Sequence, residues 1–390
     1  MTCRQRLIRV FQRKETDRMP VRLWGVDPMF PRQDWGDLYR LTETYELEII
    51  RTWTPEQEEW PRPGYEKQVS ESISDKSGIK EIRTTLVTPS GPITSIYYQP
   101  LDGSPGYVKK HFIETVQDAK RWLSIPGIEK MPEVDSYRKL EEKSGERAML
   151  MVALSEAMYS VQSLMGSETF GYWLYDERQM LLEMIEKAFR DIEKIVKHYL
   201  FNNLGDAYGW VGPELCIPPL ASVRDFRELV FFYDKKVIDL IHEKGKLAWI
   251  HCHGDISTVL KDFIEMGLDC LNPVEGPPVG KYTLKQVKEI CGKKMALDGG
   301  IEDGVFDRCT PEETRTITRQ VISEGKPGGC FILCPTSSPD TRARLSTRNI
   351  ENYAAFVETA AEFKELLNCF DTENLIDRLE SKNGHHENLS

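Results

Sequence analysis

Short apolar segments alternate with amphipathic segments through the second half of the chain. The amphipathic segments predict helices at residues 177–200, 223–244, 256–266, 284–291, 311–324 and 347–367. The apolar segments predict strands at residues 148–155, 206–211, 247–253, 270–274, 295–301 and 330–334. Strands that alternate with helices of this length are typical of βαβ units, which build parallel sheets. This half of the chain therefore predicts six such units.

Two further buried strands are predicted in the first third, at residues 19–24 and 47–53, with a helix at 38–45 between them. Together with the six units they make eight, the number of strands that closes a (β/α)8 barrel. We therefore predict an α/β protein built as a single TIM barrel. An open, doubly wound sheet is the structural alternative.

Residues 60–100 depart from this alternation. The segment EIRTTLVTPSGPITSIYYQ alternates at period two around a Pro-Ser-Gly-Pro turn, which predicts a β-hairpin. We place it as an excursion after the second strand, not as a domain of its own. The barrel is expected to span residues 1–368, and residues 369–390 to form a polar tail.

Composition narrows the range of partners and compartments. The 390 residues carry a formal net charge of −11, which argues against nucleic acid or an anionic membrane as the main partner. The basic N-terminal segment has no apolar core, and we find no secretion signal or membrane span in the sequence. Nine scattered cysteines without a C-x-x-C pair are typical of reduced thiols, so we expect a cytoplasmic protein.

His251 and His253 are the leading candidates for chemistry, because catalytic groups of barrels lie where the strands end. They close the strand LAWIHCH, and residues i and i+2 of a strand share a face, whereas Cys252 points the other way. Two imidazoles on one face can bind a metal ion. The alternative is two polar side chains that bind backbone and water.

Two residues at other strand ends are candidates for a third ligand. Glu214 follows the strand at 206–211 in a proline-stiffened loop, and it is predicted as a ligand or a general base. A capping or surface carboxylate is the alternative. Cys334 ends the last strand and would complete a His/His/Cys site, unless it is a buried core thiol.

The remaining strand ends carry acidic, aromatic and polar groups, Asn272 among them, that suit a small or aromatic polar ligand, although each has a structural explanation as well. Tyr208 and Trp210 alternate on one strand and are expected to fill the barrel and line the pocket. The predicted substrate-binding residues are Trp24, Asp27, Tyr208, Trp210, Glu275 and Asp298. The sequence contains no P-loop, no G-x-S-x-G and no G-x-G-x-x-G after a strand.

Three stretches of the chain resemble the uroporphyrinogen decarboxylase superfamily. They are the N-terminal RQRLIRVFQRKETDRMPV, the region from GDAYG to GLDCLNPVE, and the ending FILCPTSSPD with RNIENYAAFVETA. The resemblance extends over residues 3–366. It implies a (β/α)8 barrel with its site at the carboxyl ends of the strands.

One branch of this superfamily decarboxylates uroporphyrinogen without a cofactor. Its members hold the substrate carboxylates with arginines in an R-Q-A-G-R stretch just after the first strand. Here the corresponding stretch is LWGVDPMFPRQDW, with only Arg22 and Arg32 nearby. This departure makes the chain a poor match to the decarboxylases of the heme pathway.

The other branch comprises corrinoid-linked methyltransferases, which hold zinc through H-x-C at one strand end and a distant cysteine. In IHCHGD, His251 matches the histidine and His253 replaces the cysteine; Cys334 lies near the distant cysteine, and Ser337 is the alternative match. In this branch zinc lowers the pKa of a thiol, and the thiolate attacks the methyl group of methylcobalamin on a partner protein. The replacement leaves the ligand set poorer in thiolate.

The resemblance thus implies a zinc-dependent, corrinoid-linked methyltransferase or demethylase that acts on a small substrate. Its metal would bind His251 and His253 with Glu214 or Cys334, and a corrinoid protein would be its partner. A cofactor-free decarboxylase of another carboxylated substrate, with His251 or Glu214 as acid or base, is the second hypothesis. A non-catalytic binding protein that keeps the barrel is the third.

Overall fold

A curled sheet of seven parallel strands lies at the centre of the computed structural model, which describes residues 1–32, 34–56, 64–74, 78–339 and 345–363. Its strands are β1 (Ile50–Trp53), β6 (Met149–Ala153), β7 (Ala207–Val211), β8 (Leu247–His251), β9 (Cys270–Asn272), β10 (Ala296–Ile301) and β11 (Phe331–Pro335). They are ordered β1-β6-β7-β8-β9-β10-β11, and neighbours pair in parallel. Each overlaps a predicted strand, so the predicted α/β fold with parallel units is confirmed.

The strand predicted at residues 19–24 is reduced to a single bridge. Val21 pairs in parallel with Leu333 of β11, and on its other side its carbonyl accepts the N–H of Glu48 at 2.8 Å. Pro20 has no N–H to donate, and the Val21 N–H binds the Glu48 carboxylate at 2.7 Å, so no regular ladder forms. Val21 thus contacts β11 on one side and the residues before β1 on the other.

Helices follow most of the strands, and several begin with a capping box in which a Thr or Ser and a polar residue three positions later satisfy free N–H groups. Their bounds are α1 (Cys3–Phe11), α2 (Gly36–Thr44), α3 (Val116–Leu123), α4 (Asp135–Ser144), α5 (Ala157–Trp173), α6 (Arg178–Phe201), α7 (Val223–Phe226), α8 (Phe232–Glu243), α9 (Leu260–Glu265), α10 (Leu284–Cys291), α11 (Gly304–Arg308), α12 (Pro311–Gly325) and α13 (Thr347–Glu362).

Two predicted helices are interrupted. The helix predicted at 223–244 contains a π-helical turn, Arg227–Phe231, between α7 and α8. The helix predicted at 256–266 starts as a 3-10 turn, Ile256–Thr258, before α9. Both segments are helical as predicted, and only the local hydrogen-bond pattern differs.

Helix α5 was not predicted, because it is broken in the middle. Gly166 has φ 73°, and a Cβ at this position would lie 2.3 Å from Nε2 of His111. The backbone at this kink therefore accommodates the His111 ring, which a larger residue would exclude. Apolar residues on α5 consequently do not form one continuous stripe of helical period.

One end of the curled sheet is covered by α1. Leu7, Val10 and Phe11 pack in one apolar cluster with the first residues of several strands, among them Met149, Ala207, Leu247, Cys270 and Ala296. A second, larger cluster fills the space between the sheet and the helices. Since α1 covers the amino ends of the strands, the carboxyl ends are left for a site.

A second, antiparallel sheet follows β1 in the chain. It consists of β2 (Glu66–Ser74), β3 (Ile79–Val87), β4 (Ile93–Pro100) and β5 (Tyr107–Lys110), in the order β2-β3-β4-β5. The hairpin β3–β4 turns at the predicted Pro-Ser-Gly-Pro, where the Thr88 hydroxyl donates to the Gly91 carbonyl at 2.7 Å. The predicted hairpin is thus present and is extended by one strand on each side.

No helix in the described ranges is long and apolar enough to cross a lipid bilayer. The predicted tail at 369–390 lies outside the described residues, as does the end of the helix predicted at 347–367.

Candidate functional site

Two histidine rings lie side by side where β8 ends. His251 is the last residue of the strand, and the centroids of its ring and of the His253 ring are 4.4 Å apart, with nearly perpendicular planes. Cys252, between them, is buried in the cluster that packs against the helices. The i, i+2 spacing therefore brings the two imidazoles together, as alternation along a strand predicts.

The His251 ring is buried and held on three sides. Its Nδ1 lies 2.7 Å from Oδ1 of Asn272, whose Nδ2 donates to the main-chain oxygen of Asp298 at 2.7 Å. Trp24 packs edge-on against the ring, and Trp249 stacks on it at an interplanar angle of 21°. Burial lowers the pKa of His251 to about 4, so the ring is neutral at pH 7.

His253 is more open, with 40% of its side chain exposed. Its Nδ1 lies 3.2 Å from Oε2 of Glu275, and the same oxygen accepts the N–H of Gly254 at 2.7 Å. The hydrogen bond to Glu275 raises the pKa of His253. Burial acts to raise the pKa of Glu275, but the bonds from His253 and Gly254 outweigh it and the net shift is downward. Glu275 thus orients His253 as an anionic partner.

Glu214 lies in a 3-10 turn, Pro213–Cys216, directly after β7. Its Oε2 accepts the N–H of Gly212 at 3.1 Å. Burial raises the pKa of Glu214, while the charge of His253 lowers it and that of Glu275 raises it. Glu214 therefore interacts electrostatically with both His253 and Glu275.

The turn that carries Glu214 is supported by Tyr159 of α5. A Cβ at Gly212 would lie 2.5 Å from Cβ of Tyr159, and Gly212 has φ 122°. Only glycine allows this approach without a shift of the chain. Tyr159 was not among the predicted residues, because α5 itself was not predicted.

Asp298 does not contact a ligand surface, which corrects its prediction as a substrate-binding residue. It is fully buried on the inner face of the sheet, where Nε and Nη2 of Arg22 donate to its two oxygens at 3.0 and 2.5 Å. The Nε1–H of Trp249 donates to the same carboxylate at 3.2 Å. The Cys334 thiol faces Asp298 and Arg22, and burial raises its pKa well above the usual value.

Tyr208 and Trp210 are also placed differently from the prediction. Both belong to the cluster between sheet and helices, whereas Ala207 of the same strand belongs to the inner cluster. The Tyr208 hydroxyl donates to the Leu204 carbonyl at 3.0 Å, and Nε1 of Trp210 donates to Asp234 of α8 at 2.9 Å. Neither side chain lies on the face of His251, because strand alternation points both outwards.

Of the remaining predicted substrate-binding residues, Trp24 and Glu275 contact the histidine pair, as described above. Asp27 instead faces Arg51, whose Nη1 lies 3.5 Å from its Oδ2, and its Oδ1 accepts the N–H of Met29 at 2.9 Å. Trp249 was missed as a site residue, and Asn272 was noted only as one of several strand-end groups, without a role of its own. The signal for Asn272 was available, since a polar residue at the end of the next strand lies in register with His251.

In the parts of the chain that the structure describes, no group of three or more His, Cys, Asp and Glu side chains is arranged to hold a metal ion. The donor types near β8 nevertheless fit zinc, which accepts imidazole nitrogen and carboxylate oxygen. His251 and His253 each have Nδ1 beside an acceptor, and neither Nε2 bonds to a described residue. These two Nε2 atoms and the carboxylate of Glu214 are the groups that would hold it.

Comparison with known proteins gives a family and a fold. The family model described as uroporphyrinogen decarboxylase (URO-D) matches residues 94–363. No curated protein matches the chain. A methyltransferase from Methanosarcina mazei is similar in structure over 93% of this chain and 99% of its own, with a TM-score of 0.57 and 14% identity. At that identity the likeness shows the fold alone.

Two further structures are similar at much lower TM-scores. They are a 3-keto-D-glucoside 4-epimerase from E. coli (TM-score 0.32, 9% identity, 64% of this chain and 93% of that one) and a GH5 xyloglucanase from Bacteroides ovatus (TM-score 0.33, 9% identity, 76% and 94%). The family match, by contrast, takes in most of the parallel sheet and the histidine pair. The chain therefore belongs to the uroporphyrinogen decarboxylase (URO-D) family.

Proposed function

We propose that this chain is a metal-dependent methyltransferase of the URO-D family. Zinc on His251 and His253 would assist transfer of a methyl group between a small substrate and a corrinoid carried by a partner protein. Family membership and the fold shared with the M. mazei methyltransferase support this proposal. A zinc-dependent mechanism fits the two histidines at the end of β8 better than a cofactor-free mechanism does.

We further propose that the sheet closes into the (β/α)8 barrel through Val21. This residue bridges to Leu333 on one side and accepts from Glu48 on the other, which is the position of an eighth strand. In a closed barrel the carboxyl ends of all strands face one mouth. The histidine pair and Glu214 would then share that mouth.

The observation that carries the metal proposal is the hydrogen bonding of the two rings. Histidines that bind metals donate their second ring N–H to a carboxylate, a carbonyl or water. His251 has an amide oxygen at 2.7 Å from Nδ1, and His253 has a carboxylate at 3.2 Å from Nδ1. Both Nε2 atoms are therefore suited to bind one ion.

Glu214 is the third ligand we propose. Its carboxyl group interacts with His253, and one of its oxygens is fixed by the Gly212 N–H. Cys334 is the less suitable donor, because its thiol interacts with Asp298 and Arg22 and is fully buried. The fourth position would stay open for substrate, as it does in catalytic zinc sites.

When bound, zinc would lower the pKa of a substrate thiol or hydroxyl. The chain itself supplies orientation and shielding. Glu275 holds His253 in one direction, and Trp24 and Trp249 cover the His251 ring. Val211 pairs in register with His251 and is 40% exposed, so it would give the substrate an apolar wall.

A cofactor-free decarboxylase is the second candidate, and the raised pKa of Glu214 favours it, since a protonated carboxyl can act as a general acid. Such an enzyme also needs cations for the substrate carboxylates. Nε and Nη2 of the buried Arg22 both donate to Asp298, and Nη1 of Arg51 lies 3.5 Å from Asp27. Arg22, one of the two arginines near the first strand, is therefore committed to Asp298 and cannot bind a substrate carboxylate.

A methylcobalamin assay tests the proposed function. Protein stripped of metal, and the same protein resupplied with zinc, would be mixed with free methylcobalamin and with thiols or alcohols in separate reactions. We expect zinc-dependent demethylation, followed by absorbance, that is lost in the double variant His251→Ala/His253→Ala. The matched control is His198→Ala/His242→Ala, which removes two imidazoles bound to Pro132 and Asp269 elsewhere. Equal rates in the two double variants, or none with zinc, would contradict the proposal.

A further inference from the structure

We infer that Asn272 is a positioning residue that keeps the ring proton of His251 on Nδ1 and so makes Nε2 its open nitrogen. The inference rests on the proposed function in one respect only, that Nε2 is the atom assigned there to the metal. It assigns a role to a residue that the sequence offered only as one of several strand-end groups. It is based on two consecutive hydrogen bonds, from Asn272 to Asp298 and from His251 to Asn272, whose donors and acceptors can be assigned in only one way.

The direction is fixed at its far end by a main-chain carbonyl. The oxygen of Asp298 can only accept, so the Asn272 group 2.7 Å from it must be the amide nitrogen. The amide oxygen of Asn272 therefore faces His251. An amide oxygen can only accept as well, so Nδ1 of His251, at 2.7 Å, must be the donor. A neutral ring with its proton on Nδ1 has its lone pair on Nε2.

The side-chain amide of Asn272 cannot flip by 180° for the same reason. A flip would place its oxygen against the Asp298 carbonyl, so two acceptors would face each other inside the protein. Asn272 and Asp298 are both 0% exposed, and no water-accessible alternative exists for either group. Losing one buried hydrogen bond in this way leaves its partner unsatisfied, which is costly.

Asp298 supports His251 by a second route. Its carboxylate accepts the Nε1–H of Trp249 at 3.2 Å, and the Trp249 ring stacks on His251. Arg22 holds the same carboxylate from the other side. The main chain of Asp298 thus fixes the tautomer of His251 through Asn272, and its side chain fixes the plane of the ring through Trp249.

Nitrogen NMR of the metal-free protein tests the inference without any assumption about zinc. With ¹⁵N-labelled histidine, the seven histidines give separate ring signals, and those of His251 are identified by their loss in His251→Ala. At a pH where His251 is neutral, we expect Nδ1 to have the shift of a protonated nitrogen and Nε2 that of an unprotonated one. The opposite assignment in the native protein would overturn the inference.

Three variants separate positioning from general damage. Asn272→Leu removes the acceptor and should shift His251 towards a mixture of tautomers. Asn272→Asp keeps the acceptor for Nδ1 but loses the donor to the Asp298 carbonyl, so it should retain the proton on Nδ1 although it is less stable. Asn352→Leu is the control, because Asn352 is equally buried and donates to carbonyls of the α11 region. An unchanged His251 tautomer in Asn272→Leu, or the same change in Asn352→Leu, would refute a specific role of Asn272.

Zinc titration of the same proteins provides the second readout. Loss of an outer partner typically lowers metal affinity about 10- to 100-fold, and we expect this for Asn272→Leu but not for Asn352→Leu. If the native protein binds no zinc while the tautomer depends on Asn272, the positioning role stands and the proposed function fails. If zinc binds but the tautomer does not depend on Asn272, the proposed function stands and the positioning role fails.

Discussion

Arg22 and Asp298 face each other on the inner side of the parallel sheet, joined by hydrogen bonds of 3.0 and 2.5 Å, and at most 5% of either side chain is exposed. Neither charge can reach solvent, so each is compensated only by the other and by polar neighbours. The pair lies next to the support of His251. Breaking the ion pair is therefore expected to lower the stability of the fold and to disturb the residues that hold His251.

Breaking this pair should cost far more stability than breaking an exposed one. We expect Asp298→Asn to lower the free energy of unfolding by about 3–5 kcal/mol, because Arg22 remains as an uncompensated buried charge. Glu302→Gln, which breaks the exposed pair with Arg308, should cost about 0–1 kcal/mol. Urea unfolding of both variants checks this. Equal losses would show that the pair is more solvated than its burial implies.

The buried carboxyl of Asp234 should make stability depend on pH. Burial raises its pKa from 3.8 to about 7, although the bond from Trp210 acts against the shift, and the folded protein thus binds this proton more tightly than the unfolded chain. Its contribution to stability is therefore complete below about pH 4 and is lost as the pH rises through 7.

Asp234→Asn removes this titration and keeps an acceptor for Trp210. We expect the variant to equal the native protein at pH 4 and to exceed it at pH 8 by at most about 4 kcal/mol, since one pKa unit is worth about 1.4 kcal/mol. Glu156, whose pKa burial also raises, interacts with Asp234 and must be tested in parallel by Glu156→Gln. A difference that is constant between pH 4 and 8 would contradict the assignment.

Gly212 should tolerate no side chain, because Tyr159 occupies the space. We expect Gly212→Ala to cost about 1–3 kcal/mol by overpacking, in addition to its backbone strain. Gly245→Ala is the matched control, since Gly245 has φ 68° but no heavy atom within 4 Å of the added Cβ. The double variant Gly212→Ala/Tyr159→Gly removes the Tyr159 Cβ that the added methyl group would meet, and it should relieve the clash. Thermal unfolding that shows no difference between Gly212→Ala and Gly245→Ala would rule out the contact.

The third ligand can be identified by comparing two substitutions. We expect Glu214→Gln to weaken zinc binding at least tenfold, because the amide oxygen is a poorer ligand than the carboxylate. Cys334→Ala should leave affinity unchanged, because its thiol lies against Asp298 and Arg22. Competition with a chromophoric chelator measures both. The reverse order would identify Cys334 as the ligand and would follow the family pattern.

The sequence alone was sufficient for the parallel units and for the histidine pair. Alternation along LAWIHCH determines that His251 and His253 share a face, whatever the surrounding fold. It cannot determine which face of β7 is inner, and Tyr208 and Trp210 were placed on the wrong side for that reason. The small Gly209 is the inner residue, where a Cβ would lie 2.6 Å from Sδ of Met151.

Other parts of the site depend on contacts between distant segments. Asn272 is a polar residue at a strand end, but its bond to His251 depends on the register in which β8 pairs with β9. The ion pair of Arg22 and Asp298 joins residues that are 276 positions apart in the chain. Helix α5 lacks a continuous apolar stripe because its break at Gly166 fits the ring of His111. These features follow from tertiary packing, and sequence periodicity does not report them.

The metal content of the purified protein decides whether His251 and His253 form a metal site. Native protein, prepared with zinc and without chelators, would be compared by elemental analysis with His251→Ala/His253→Ala and with the control His198→Ala/His242→Ala. We expect about one zinc per chain in the native and control proteins and none in the first double variant, because a catalytic zinc site needs its protein ligands. Native protein without metal, or equal metal in both double variants, would contradict it.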